Sequence, residues 1–94
     1  TQSSVFLKQE DGSIIVEGST LLRELNRKLD LQFPLDGPKT LNGLILEHFQ
    51  DIPEAGIGLN IAGYPMEIIQ TKNRVVKTVK IFPTLAEMEA KDME

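Results

Sequence analysis

The sequence predicts an α+β fold: two helices packed on one face of a mainly antiparallel sheet, in the order β-β-α-α-β-β-β. Two observations of periodicity and one of punctuation carry this. Residues 21–29 and 41–49 repeat apolar side chains at helical spacing, whereas the flanking segments repeat them at about every second residue. Asp11-Gly12, Ala62-Gly63 and Lys72-Asn73 separate neighbouring β segments by loops short enough for antiparallel hairpins. Elements with one apolar side each have to share a core. Helices gathered on one side of a sheet allow that.

Val5, Phe6, Leu7 and Lys8 read as the first strand. Ile14, Ile15 and Val16 read as its hairpin partner, which Gly18 ends. Ser19 or Thr20 is placed to cap the first helix, since either hydroxyl can accept an orphan N–H of the first turn. Leu21, Leu22, Leu25 and Leu29 make its apolar stripe, and Glu24 stands four residues before Lys28, a favourable helical pair. Arg27 and Lys28 suit the negative end of the helix dipole. Pro34 pushes Phe33 out of helical backbone, and Asp36-Gly37-Pro38 completes an irregular connection. Thr40 caps the second helix, and Pro53 stops it. Leu41, Leu44, Ile45, His48 and Phe49 fall on one side of that helix, with Asn42, Gly43, Leu46 and Gln50 on the other.

From Gly56 the pattern turns to β. Ile57, Leu59 and Ile61 alternate with Gly58 and Asn60, and Tyr64, Met66 and Ile68 alternate with Pro65, Glu67 and Ile69. Val75, Val76, Val79 and Ile81 make the last strand. The broken alternation between Val76 and Val79 places a bulge near Lys77-Thr78. Pro83 ends the strand. Residues 1–83 therefore read as the domain, and 84–94 as an acidic tail, frayed or marginally helical.

Composition narrows the function classes. The chain has 94 residues, enough for one core, and no cysteine, so disulfides, thiolate nucleophiles and Cys-based zinc sites are excluded. Of the net charge of −4, −3 lies in the tail, where Glu87, Glu89, Asp92 and Glu94 face one Lys91. A near-neutral body argues against nucleic acid as the main partner, which needs clustered cations. Arg74, Lys77 and Lys80 read as a basic edge on a terminal strand, which protects against edge pairing. The sequence has no apolar run of membrane length and no signal peptide. It opens on Thr-Gln-Ser-Ser without Met, which reads as a piece of a longer protein.

Four sets of residues are candidate sites. His48 is the lone histidine and lacks the Ser, Cys or matched carboxylate that a triad needs, so it reads as a stripe-edge side chain. Glu47 and Asp51 stand four apart, but two carboxylates are too few for a hard-cation cage and read as a solvated face. Gly56, Gly58 and Gly63 do not match phosphate-loop spacing and precede a strand where a helix N-terminus is required. Gly43 and Leu46, opposite the main stripe, are the candidate interaction face. A glycine inside a helix costs ~1 kcal/mol against Ala and marks a close approach, either by a partner or by the chain's own loop 31–39. No catalytic and no metal-binding residue is assigned, and the chain is read as a non-enzyme.

In order along the chain stand Asp-Gly-Ser at 11–13, Val-Glu-Gly-Ser at 16–19, Leu-Leu-Arg-Glu-Leu-Asn at 21–26 and Pro34 after a short loop. Next come Thr-Leu-Asn-Gly-Leu-Ile-Leu-Glu at 40–47, Ile-Pro-Glu-Ala-Gly at 52–56 and Arg-Val-Val-Lys-Thr-Val-Lys-Ile at 74–81. This ordered set resembles the CorC/HlyC transporter-associated domain over nearly the whole chain except the tail. The resemblance implies a C-terminal domain on the cytoplasmic side of a longer membrane protein. A transmembrane domain and a pair of CBS domains would be its partners, and a second copy a further one. Its parents would be magnesium and cobalt efflux proteins, some hemolysin-like by name. It implies no catalytic residues. The family's fold is similar to part of a FAD-binding oxidase domain, so flavin or adenine nucleotide is the alternative ligand reading. This chain departs from the family where an acid often comes after the Gly beyond Ile-Pro: here Ile57 succeeds Gly56.

Overall fold

The computed structural model describes residues 6–83, and in them the seven elements stand in the expected order. They are β1 (Leu7–Lys8), β2 (Ile14–Glu17), α1 (Leu22–Leu29), α2 (Leu41–Phe49), β3 (Gly58–Ile61), β4 (Tyr64–Lys72) and β5 (Val75–Ile81). The strands form one antiparallel sheet in the spatial order β1-β2-β5-β4-β3. The fold is the α+β arrangement of two helices and five strands that the sequence predicts. The tail, 84–94, and Val5 of the expected first strand lie outside the described residues.

β5 is not a terminal edge. It runs between β2 and β4, with Ile14 opposite Ile81, and the edges are β1 and β3. Lys77 and Lys80 therefore stand on a central strand, so the edge-protection reading of the basic residues is corrected. Such pairing between the two ends of the chain leaves no trace in local periodicity.

Successive side chains of a strand point to opposite faces. One cross-strand row, Leu7–Ile15–Lys80–Glu67–Gly58, lies on the open face. The next, Lys8–Ile14–Ile81–Met66–Leu59, lies on the helix side, where Ile81 and Met66 are buried. The core joins Val16, Ile68, Val76, Val79 and Ile81 of the sheet to Leu22 and Leu25 of α1 and Leu41, Leu44 and Ile45 of α2. Phe33 closes it from the connection, its ring 4.9 Å from that of Tyr64.

Neither Ser19 nor Thr20 caps α1. The N-cap is Leu21, in extended backbone, with no side-chain cap. Instead the Leu22 N–H donates to the Lys39 carbonyl at 2.8 Å, and the Leu41 N–H donates to the Thr20 carbonyl at 3.1 Å. The two helix entries thus form a short antiparallel bridge, Leu21 opposite Thr40, which satisfies donors that a hydroxyl would otherwise serve. Thr40 does cap α2, its Oγ1 accepting from the Gly43 N–H at 3.1 Å. Glu24 binds Arg27 at 2.9 Å, closer than the expected Lys28 at 3.7 Å.

The bulge falls where the broken alternation places it. The β4–β5 register shifts twice, leaving Lys77 of β5 without a partner at the expected place and Ile69 of β4 without one at a place the alternation does not mark. The second tight turn is Asn73-Arg74 rather than Lys72-Asn73, since Lys72 already pairs with Val75. Both of its residues have positive φ, 54° and 65°, as do Ala62 and Gly63 in the preceding turn, at 56° and 86°. This is the backbone of two-residue type I′ hairpins.

Candidate functional site

The Gly43 and Leu46 face of α2 is met by the chain itself on at least one side. A Cβ at Gly43 would stand 3.1 Å from Pro38 Cβ and 3.3 Å from Thr40 Oγ1, so the close approach is made to the loop before the helix. Leu46 is half-buried against the core. A partner at this face would meet the flank of Leu46 rather than a flat surface at Gly43. Asn42, on the same side, is a tie to the sheet: its Oδ1 accepts from the Val76 N–H at 2.9 Å, and its N–H donates to the Gly18 carbonyl at 2.7 Å.

His48 and Phe49 do not lie in the buried stripe. Both are exposed, in the last turn of α2, which ends at Phe49. Glu47 and Asp51 are exposed as well, and Asp51 Oδ1 accepts from the Ile52 N–H. Gly56 has φ +92°, and its N–H donates to the Ile68 carbonyl, so this glycine turns the chain onto β4. Among the described residues no group of three or more His, Asp or Glu is placed to hold a metal ion. No described helix is long and apolar enough to cross a membrane.

The Asp-Gly-Ser turn is held by its own side chains. Asp11 Oδ1 accepts from both the N–H and the hydroxyl of the fully buried Ser13. The Ser13 hydroxyl and N–H, with help from the Lys80 ammonium at 3.9 Å, hold the Asp11 carboxyl below its ordinary pKa. The Arg27 guanidinium does the same for Glu24, chiefly by its hydrogen bonds. Both groups are surface carboxylates in structural roles.

One surface is not foreseen from sequence. Leu21, Leu35 and Pro38 floor an open groove of about 290 Å³, with Arg23 and Lys39 on its rim. Leu35 is 58% exposed, the most exposed large apolar residue described. The signal is present in the sequence: Leu35 is an apolar residue between Pro34 and Asp36, with no periodic partner to bury it. Apolar floor and cationic rim suit contact with an amphipathic, anionic segment, and supply no group for bond-making chemistry.

Comparison with known proteins agrees with this picture. The inner membrane protein YfjD (UPF0053) of Escherichia coli K12 is 39% identical over 75 residues, which are 80% of this chain and 18% of that protein. The chain spans 18% of the length of this relative and of a UPF0053 protein of Haemophilus influenzae. A functionally unknown conserved protein from Haemophilus influenzae Rd KW20 superimposes with a TM-score of 0.80 at 36% identity, covering 83% of this chain and 96% of that one. A transporter associated domain from a Xylella fastidiosa Temecula1 hemolysin, solved in complex with Mg++ and Mn++, superimposes with a TM-score of 0.70 at 25% identity, covering 81% and 92%. The family CorC_HlyC, transporter associated domain, matches residues 7–84. Taken with the two-helix, five-strand fold, that match establishes that this chain belongs to the CorC_HlyC transporter associated domain family.

Proposed function

We propose that the domain is a non-enzymatic regulatory or assembly module of a membrane ion transporter of the magnesium or cobalt efflux type, held on its cytoplasmic side. The observation that carries this reading is the relationship to a small fraction of a much longer inner membrane protein. The domain acts by packing against its neighbours in the longer chain, a CBS pair and the transmembrane domain, and passes on their ligand-dependent changes. Its contact chemistry fits that task better than catalysis: the groove at Leu21, Leu35 and Pro38 offers apolar area and two cations. The flank of Leu46 is the second contact face. The Mg++ and Mn++ in complex with the Xylella domain are in keeping with a divalent-cation transporter.

The test is made in the full-length transporter. Replacing Leu35 by Glu should lower magnesium efflux from loaded vesicles several-fold at unchanged protein level. The melting temperature of the separate domain should barely move, because Leu35 is mostly exposed. Unchanged efflux on deletion of the whole domain would refute the reading. A flavin or nucleotide binder would instead purify yellow, or melt higher with added FAD or ATP.

A further inference from the structure

The two edges of the sheet are guarded differently. At β1 the edge is only Leu7–Lys8, short and with a lysine, both of which discourage pairing with another strand. β3 has neither device. From Ala55 to Met66 no side chain is charged, and the β3–β4 register runs without a bulge. Ile61 pairs with Tyr64 across the tight turn, and the Ile68 N–H donates to the Ile57 carbonyl at 2.9 Å. Alternation along the strand then turns the backbone groups of Ile57, Leu59 and Ile61 towards β4 and those of Gly58 and Asn60 outwards. Gly58 and Asn60 are exposed, and among the described residues no hydrogen bond reaches their outward N–H and C=O groups.

Gly58 adds a second observation. It is the one glycine within a described strand, and its backbone is not left-handed. A Cβ there would meet nothing nearer than the Met66 carbonyl oxygen at 3.9 Å, an ordinary contact. Neither backbone conformation nor packing among the described residues asks for glycine here, and glycine weakens a strand. A strand glycine of this kind marks the close approach of another backbone. Ile57, Leu59 and Ile61 share the helix side of the same edge. Ile61 is buried, Leu59 is half-buried against the core, and Ile57 is 36% exposed.

We propose that the β3 edge receives the β3 of a second copy of this chain, antiparallel, so that one sheet continues across a two-fold axis. Self-complementarity selects this occupant. Gly56 and Ala62, with φ of 92° and 56°, bound the run 57–61, whose centre is Leu59. Antiparallel pairing about that centre sets Gly58 opposite the copy's Asn60 and Asn60 opposite the copy's Gly58. Each of these pairs exchanges N–H···O bonds in both directions. Leu59 meets the copy's Leu59 on the axis, and the exposed Ile57 is covered beside the copy's Ile61. A slip of one residue sets outward groups against inward ones. A slip of two runs the pairing into Gly56 or Ala62, where the strand has already turned. The edge is uncharged, so pairing identical strands brings no like charges together. The contact is isologous and closes at two copies. It stands on the β3 edge alone and does not depend on what a longer protein transports.

The chain has no cysteine, so a single introduced thiol can only join two copies. Leu59→Cys should give a disulfide-linked dimer under mild oxidation, because the pair on the axis is of the close, non-hydrogen-bonded kind. Position 57 is exposed, yet in the dimer its two copies stand four strand residues, about 13 Å, apart. Ile57→Cys should therefore link roughly tenfold more slowly or worse. Sedimentation equilibrium of the 94-residue chain should show a 10.5 kDa species that dimerises reversibly as its concentration rises into the millimolar range, as suits a small interface. Asn60→Pro removes an outward N–H, and Gly58→Lys places a charge on the edge. Each should weaken the dimer about tenfold and leave the melting temperature of the dilute chain in place. Should an edge variant fail to fold, the two cysteine rates decide alone. The proposal is overturned if the chain stays monomeric at millimolar concentration, if Ile57→Cys links as fast as Leu59→Cys, or if folded edge variants dimerise as the original chain does.

Discussion

At the scale of single residues, Gly18 is the position where the fold tolerates least. Its N–H donates to the Lys77 carbonyl and its own carbonyl accepts from Asn42, so it joins β2, β5 and α2 at one point. A Cβ there would stand 2.0 Å from the Val76 carbonyl oxygen, which is backbone and has no rotamer to yield. Overpacking of a tight site costs about 1–3 kcal/mol. We expect Gly18→Ala to cost at least the upper part of that range, measured by urea unfolding. A loss below about 0.5 kcal/mol would mean that the strand shifts freely. Asn26 works in the same way on the loop: its side chain both donates to the Phe33 carbonyl and accepts from the Phe33 N–H, pinning the ring that closes the core. Both residues are visible in the sequence, Gly18 as a strand end and Asn26 as part of a family motif. Their roles are not, because each depends on a backbone brought in from elsewhere in the chain.

Individual elements obey local rules where the chain meets itself locally. The bulge and the α2 cap are legible because alternation and a hydroxyl before a helix are short-range signals. The α1 cap is not, because the Lys39 carbonyl, outside any local window, takes over the role expected of Ser19 or Thr20. The exposure of His48 and Phe49 is hidden too, because a helical wheel sorts side chains by direction and does not show how far along the helix the core extends. The Asn73-Arg74 turn offers a test at this scale. Arg74 holds φ 65°, a conformation that costs a non-glycine residue roughly 1–2 kcal/mol, and Asn-Gly is the favoured pair for this turn. Gly loses more entropy on folding, by about 0.5–1 kcal/mol, which offsets part of the gain. Arg74→Gly should therefore raise stability by about 0.5–1 kcal/mol, seen as a higher denaturation midpoint at unchanged slope. A lower midpoint would show that the arginine side chain makes a contact worth more than the strain.

For the molecule as a whole, closure depends on β5 entering the sheet beside β2, and Asp11 sits at that seam. It orders the hairpin turn through Ser13 and lies 3.9 Å from Lys80 of the incoming strand. Both of these interactions favour the charged carboxylate, as the Arg27 hydrogen bonds do at Glu24. A carboxyl with a lowered folded pKa binds fewer protons folded than unfolded in mild acid. Its stabilisation is complete above the unfolded-state pKa and is lost as pH falls through the folded one. The unfolding free energy should therefore drop on acidification below about pH 4, the ordinary carboxylate range. Asp11→Asn keeps an oxygen able to accept from Ser13 but cannot titrate, so its stability should start lower at neutral pH and fall less steeply in acid. Urea midpoints collected from about pH 6 down to pH 2 decide the matter. Parallel curves for the two proteins would remove Asp11 from the acid response and leave Glu24 to account for it.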